Sequence, residues 1–74
     1  MQRPIERCGW HKRIINDNTE SYYKGKDWLN SSIYVKFNAV NGGIVIIMNC
    51  EEISLEELLA IYYTAKQIKY ESEI

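Results

Sequence analysis

Residues 33–50 decide the fold, and they read IYVKFNAVNGGIVIIMNC. Apolar residues stand at every second position from Ile33 to Ala39, and this period of two indicates a strand with one buried face. The dipeptide Asn41-Gly42 is typical of a type I′ hairpin turn. The run from Ile44 to Met48 is rich in β-branched residues and too short for a helix. The segment predicts an antiparallel hairpin with strands Ile33–Val40 and Ile44–Cys50.

The hydrophobic pattern also predicts the register of this hairpin. A two-residue loop at Asn41-Gly42 pairs apolar residues throughout one face: Ala39 with Ile44, Phe37 with Ile46, Val35 with Met48, and Ile33 with Cys50. A three-residue loop would set Val35 opposite Asn49, so the two-residue loop is favoured. The Cys50 side chain is then expected to face the core. Since Val45 and Ile47 are also apolar, we expect the second strand to be covered on both sides or central in the sheet.

A helix is predicted directly after the hairpin. Ser54 and Glu57 have the spacing of a capping box, with Ser54 as the N-cap. We expect the helix to run from about Leu55 to about Tyr70 and to press an apolar arc on the hairpin. The members of this arc share spacings of three and four residues: Leu55, Leu58, Leu59, Ile61, Tyr62, Ala65 and Ile68.

The N-terminal half is harder to interpret. Residues 10–15 and 20–24 are candidate strands, and Asn16-Asp17-Asn18 is a candidate turn between them. We therefore predict an α+β domain over residues 1–74, in which a β-meander of three or four strands is packed by one C-terminal helix. No family motif is recognised in these residues.

Composition and charge narrow the function classes. The formal net charge of −1 disfavours a protein that mainly coats nucleic acid or an anionic membrane. The N-terminus has no signal-peptide pattern and no apolar run approaches the roughly 20 residues that span a bilayer, so we expect a soluble, cytoplasmic protein without a membrane partner. Ile, Asn, Lys and Tyr supply 29 residues against 11 for Ala, Gly, Arg and Pro, which indicates a low-GC bacterium or its phage.

The sequence favours a protein that is not an enzyme. Cys8, His11 and Cys50 are the only Cys or His residues, and a structural zinc site normally takes four such ligands, so no metal is expected. The two cysteines are expected as free thiols in a cytosolic setting. Gly42-Gly43 belongs to the hairpin turn and cannot cradle a phosphate. We predict no catalytic residue and no cofactor.

The leading hypothesis is a protein-binding module, an inhibitor or adaptor that occludes a partner protein, with a phage or mobile element as a candidate origin. Glu56, Tyr63 and Tyr70 recur every seven residues beside Gln67, and exposed tyrosines are typical of protein-recognition surfaces. An alternative is that these tyrosines pack against the N-terminal segment. A second predicted contact patch consists of Trp10, Lys12 and Arg13.

Two further possibilities remain open. Residues 1–37 carry a net charge of +3, and their aromatic and basic residues could bind single-stranded nucleic acid. The candidate residues for this alternative are Trp10, Arg13, Tyr22, Lys24 and Lys26. The other possibility is homo-oligomerisation through an open sheet edge.

Overall fold

The fold is a four-stranded antiparallel sheet covered on one face by helices. The computed structural model describes residues 2–73, and for residues 14 and 15 the backbone only. The elements in chain order are α1 (Pro4–Arg7), β1 (His11–Asn16), β2 (Thr19–Tyr23), β3 (Ile33–Asn38), β4 (Ile44–Met48) and α2 (Leu55–Ser72). The strands lie in the order β1-β2-β3-β4, so the predicted α+β meander with a C-terminal helix is confirmed.

The start of α2 follows the predicted capping box. The Ser54 hydroxyl accepts the backbone N–H of Glu57 at 3.0 Å, and the Glu57 carboxylate accepts the backbone N–H of Ser54 at 2.9 Å. These two bonds satisfy donors that the first helical turn leaves without intrahelical partners. The helix continues to Ser72, two positions beyond the predicted end at Tyr70.

The core lies between the helices and the inner face of the sheet. Alternate residues of β3 are fully buried, as the period of two predicts, and Tyr22 of β2 lies beside them. The full set of buried apolar residues is Ile5, Trp10, Tyr22, Ile33, Val35, Phe37, Ala60, Ile61, Ala65 and Ile68.

The buried face of α2 is rotated from the predicted apolar arc. Ile61, Ala65 and Ile68 are buried as expected, but Leu55, Leu58, Leu59 and Tyr62 are exposed. Glu57, Ala60 and Thr64 are buried instead. The reason is the position of α1, which packs on this other side of α2 and covers small residues there.

The predicted register of the β3–β4 hairpin is wrong by two residues. Phe37 pairs with Ile44 and Val35 with Ile46, so the loop has the five residues 39–43. The Asn38 side chain holds this wider loop, because its Oδ1 accepts the backbone N–H groups of Val40 at 2.8 Å and Asn41 at 3.2 Å. A shift of two residues leaves every side chain on its predicted face.

The predictions for the second strand of the hairpin are also corrected. β4 is the edge strand of the sheet, and all five of its residues are exposed. It is neither central nor covered on both faces, because β4 ends the sheet and α2 packs on β3. Cys50 lies beyond the end of β4 and is exposed rather than turned to the core.

Candidate protein-docking groove

A surface groove of about 490 Å³ lies along the junction of α1 and α2. We call it the tyrosine groove, and its lining residues are Pro4, Arg7, Tyr63, Lys66, Gln67 and Tyr70. The sequence predicted three of them, Tyr63, Gln67 and Tyr70, as contact residues. Glu56 is exposed on α2, but it lies outside the lining of this groove.

Helix α1 forms one wall of the groove and was not predicted. Pro4 begins it, at a position where proline fixes a helical φ and no N–H donor is needed. Ile5 is fully buried, and its backbone N–H donates to the Thr64 hydroxyl of α2 at 3.2 Å. Thr64 donates in turn to the Ala60 carbonyl at 2.7 Å. These contacts fix α1 against α2, although four residues are too few for a helix that is stable alone.

Arg3 holds the start of α1 to both layers of the fold. Its guanidinium donates to the Glu20 carboxylate of β2 at 3.0 and 2.7 Å, and to the Glu71 carboxylate of α2 at 2.8 Å. It also donates to the Gln67 side chain at 3.3 Å, at the rim of the groove. The hydrogen bonds to Glu71 and then to Glu20 raise the pKa of Arg3. The Arg3 bond also lowers the pKa of Glu71, so both charges persist at neutral pH.

The groove is aromatic and basic. The Tyr63 and Tyr70 side chains are more than half exposed, so they do not pack away under the N-terminal segment. Arg7 and Lys66 supply two cations, and within residues 2–73 neither forms a salt bridge. The surface can therefore take an apolar or aromatic side chain together with a carboxylate.

The second predicted contact patch is not assembled. Trp10 is buried, with 2% of its surface exposed, because its indole N–H donates to Glu57 at 2.7 Å. Lys12 and Arg13 are neighbours in β1, so their side chains lie on opposite faces of the sheet. Arg13 stacks on Trp28 at 4.1 Å. Trp10 is therefore withdrawn as a contact residue.

The residues of the nucleic-acid alternative are also dispersed. Tyr22 is fully buried, like Trp10, so both aromatic residues that were expected to stack on bases are inside the fold. Lys24 forms a salt bridge with Glu57 at 3.2 Å. Lys26 is exposed in the segment between β2 and β3. Trp10 and Tyr22 are therefore not accessible for stacking on bases.

The outer face of the sheet has an aromatic cluster that the sequence analysis did not assemble. Trp28 lies 4.5 Å from the Tyr34 ring and 6.0 Å from the Tyr23 ring, and Tyr23 lies 5.4 Å from His11. The Arg13 guanidinium lies over the Trp28 ring, so the aromatic rings of this cluster pack against other side chains of the same protein. The alternation of side chains in β2 and β3 could have placed Tyr23 and Tyr34 on this face. The position of Trp28 was not predictable in this way, because it depends on an irregular loop.

The cysteines and carboxylates form no site of their own. Within residues 2–73, no three His, Cys, Asp or Glu residues are grouped so that they could hold a metal ion. Cys8 is exposed, and its pKa is raised by desolvation and by the carboxylates of Glu57 and Glu56. A raised pKa keeps the thiol protonated and makes it a poor nucleophile.

Comparison of the chain with protein-family models, with curated proteins and with solved structures finds no match. Among the described residues, 2–73, no helix has the length and apolar character needed to cross a membrane.

Proposed function

We propose that this chain is a small non-enzymatic protein-interaction module, an inhibitor or adaptor that docks on a partner protein through the tyrosine groove. The observation that carries the proposal is the pair of exposed tyrosines, Tyr63 and Tyr70, beside the cations Arg7 and Lys66, which form no salt bridge within residues 2–73. Tyrosine contributes a large contact area at low entropic cost, which makes it common at recognition surfaces.

The chemistry of the groove defines the kind of partner. Arg7 and Lys66 favour carboxylates, while the two tyrosine rings favour an apolar or aromatic anchor between them. The expected ligand is therefore an acidic surface segment of a protein that carries one large apolar side chain. Opposite charge on the partner also raises the association rate.

The scaffold supports docking without rearrangement. Arg3 and Thr64 fix α1 to α2, so the two walls of the groove are set before a partner arrives. Pre-organised surfaces lose less conformational entropy on binding. Occlusion of a partner's site requires only such a surface on a stable domain, which suits an inhibitor encoded by a phage or mobile element and acting in the cytoplasm.

The test is affinity capture from a nuclease-treated lysate of a low-GC bacterium, with a matched control on the same helix. The double variant Tyr63→Ala, Tyr70→Ala removes both rings of the groove. The control is Leu55→Ala, because Leu55 lies on the same helix and is 70% exposed, but it lies outside the groove. Proteins retained by the wild type and by the control, but lost with the double variant, are the expected groove partners.

The proposal fails if the double variant captures the same proteins as the wild type while its circular dichroism is unchanged. A parallel gel-shift series with single- and double-stranded oligonucleotides tests the alternative. Nucleic-acid binding predicts an affinity that falls steeply with added salt. Protein docking through the groove predicts no shift at any salt concentration.

A further inference from the structure

Edge strand β4 is the most apolar exposed element of this protein. All five of its residues, Ile44 to Met48, are apolar, and each has between 37% and 55% of its surface exposed. Ile44, Ile46 and Met48 lie on the helix side of the sheet, and Val45 and Ile47 lie on the outer side. Within residues 2–73, therefore, neither face of the strand is fully covered.

The backbone of β4 has an open hydrogen-bonding side. Asn38 donates to the Gly43 carbonyl at 2.8 Å and Asn49 donates to the Ser32 carbonyl at 2.8 Å, so the odd-numbered residues 43–49 bond to β3. Because antiparallel pairs alternate, the N–H and C=O groups of Ile44, Ile46 and Met48 point away from β3. β4 ends the sheet, so no strand within residues 2–73 pairs with these groups.

One side of α2 continues the apolar surface of β4. A Cβ at Gly42 would lie 3.0 Å from the Ala65 carbonyl and 3.1 Å from the Lys69 Cβ, which places this side of α2 next to the start of β4. Tyr62 precedes Ala65 by three residues and Leu58 precedes it by seven, so both lie on that side of α2. Both side chains are about half exposed. We call β4 with Leu58 and Tyr62 the edge patch.

The edge patch lacks the features that protect open edges in monomeric proteins. Such edges normally carry lysine, proline or a bulge. Residues 44–48 contain no charge and no proline, and the β3–β4 register is regular along its whole length. The opposite edge, β1, differs: it carries His11, Lys12 and Arg13, and its pairing with β2 is irregular between Ile14 and Asn16.

We propose that the edge patch binds a second copy of this chain, and that two β4 strands pair antiparallel across a two-fold axis at Ile46. Ile46 then faces Ile46 of the second copy, and Ile44 faces Met48. These are the residues whose backbone groups point outward, so the pairing forms six backbone hydrogen bonds. On the outer face Val45 meets Ile47, so every cross-strand pair is apolar on both faces.

The charges of the two edges argue for a closed dimer of two copies. Pairing through β4 gives a continuous eight-stranded sheet whose two free edges are both β1. The cationic side chains of β1 repel a further copy of themselves, so the assembly stops at two. A two-fold contact between identical neutral strands also brings no like charges together.

The exposed area is sufficient for a stable dimer. A large side chain carries about 150 to 250 Å² when fully exposed, so the seven residues of the edge patch expose on the order of 700 Å². A standard interface buries about 600 to 1,000 Å² on each partner. The edge patch thus matches the area that one protomer contributes.

The helices of the dimer fit over the joined strands. α2 packs on β3, so the two α2 helices stand about three strand spacings apart, about 14 Å. This exceeds the 8 to 10 Å between directly packed helices. Leu58 and Tyr62 of both copies fill the space that this leaves between the two helices, and they cover the inner-face residues of the two β4 strands.

The first test is the oligomeric state of the full chain by sedimentation, from about 1 μM to about 500 μM. The wild type is expected to form dimers that dissociate on dilution. Ile46→Lys sets two like charges at the axis and is expected to raise the dimer dissociation constant about a hundredfold or more. The control Leu29→Lys changes a residue that is 90% exposed and outside the edge patch, and it should leave the constant unchanged.

A second variant keeps the proposal testable if Ile46→Lys does not fold. In a Cys8→Ser, Cys50→Ser background, Ile46→Cys is expected to form a disulfide-linked dimer in air, because Cα atoms of a hydrogen-bonded pair are about 5.5 Å apart. Leu29→Cys is the control and should form no disulfide-linked dimer. A wild type that is monomeric throughout the range, oligomers larger than dimers, or no Ile46→Cys crosslink would each overturn the proposal.

The edge patch and the tyrosine groove lie on different sides of α2, so the two proposals fail separately. Loss of dimers with intact partner capture would refute the edge patch alone, and the reverse would refute the groove alone. A dimer that leaves both grooves open could also bind two sites of one partner with increased avidity.

Discussion

The indole N–H of Trp10 donates a 2.7 Å hydrogen bond to the Glu57 carboxylate, across 47 positions of the sequence. Glu57 also accepts the backbone N–H of Ser54 at 2.9 Å and forms a salt bridge with Lys24 at 3.2 Å. One buried carboxylate therefore joins the segment before β1, the end of β2 and the start of α2. Its loss should weaken the contact between both layers of the fold.

Replacement of this carboxylate by an amide should destabilise the protein. Glu57→Gln keeps the shape of the side chain but removes the charge that Lys24 and Trp10 contact, at an expected cost of about 2 to 3 kcal/mol in the free energy of unfolding. The control Glu56→Gln changes an exposed neighbour and should cost less than about 0.5 kcal/mol. Urea denaturation of the three proteins measures both effects, and equal costs would contradict the role of Glu57.

The stability should fall in acid because of the same residue. Burial by itself would raise the pKa of Glu57, but the hydrogen bonds from Ser54 and Trp10 and the Lys24 charge outweigh it and hold the pKa at about 2. Since this pKa is below the ordinary value of 4.5, the contribution is complete above pH 4.5 and is lost as the pH falls toward 2. At pH 7 it amounts to about 3 kcal/mol.

The measurement for this prediction is the free energy of unfolding of the wild type and Glu57→Gln between pH 7 and pH 2. The difference between the two proteins should shrink as the pH falls below about 4.5. A difference that stays constant over this range would show that Ser54, Trp10 and Lys24 do not lower the pKa of Glu57.

The hydroxyl of Thr64 should contribute more to the stability of the fold than its methyl group does. Thr64 is fully buried and accepts the backbone N–H of Ile5 at 3.2 Å. Thr64→Val leaves that buried donor without a partner, at an expected cost of about 1 to 3 kcal/mol. Thr64→Ser keeps the hydroxyl and should cost about 1 kcal/mol for the lost methyl. If thermal or urea unfolding ranks the two variants in the opposite order, this hydrogen bond does not hold α1.

Two glycines with positive φ should respond differently to alanine. Gly42 has a φ of +72°, and a Cβ there would lie 3.0 Å from the Ala65 carbonyl of α2. Gly25 has a φ of +118° and nothing within 4 Å of the position of a Cβ. Gly25→Ala thus adds backbone strain alone, about 1 to 2 kcal/mol, and Gly42→Ala should cost more. Equal costs would mean that the β3–β4 loop does not approach α2 as described.

The elements with local signals were predictable from the sequence. The alternation of Ile33, Val35 and Phe37 identified β3, and the spacing of Ser54 and Glu57 identified the start of α2. The register of the hairpin was not predictable from Asn41-Gly42, because the Asn38 side chain caps a wider loop instead. Asn38 and Asn41 are both residues that favour turns, and the pattern of apolar residues fits the register that follows from either one.

Features that depend on distant contacts were predicted poorly. The apolar arc was assigned to the leucines of α2, but α1 packs where Ala60 and Thr64 lie, and four residues such as Pro4–Arg7 have no readable periodicity. Trp10 was assigned to the surface because its partner Glu57 is remote in sequence. Tyr63 and Tyr70 could be assigned to an exposed face because their seven-residue spacing depends on α2 alone.

The most direct test of the proposed docking role is site-specific photocrosslinking from α2. p-Benzoylphenylalanine is placed at position 63, inside the tyrosine groove, or at position 62, which lies one residue away on the side of the edge patch. The account predicts that position 63 crosslinks to the partner protein retained by the wild type, whereas position 62 crosslinks to a second copy of this chain. No partner adduct at position 63 would contradict docking through the groove.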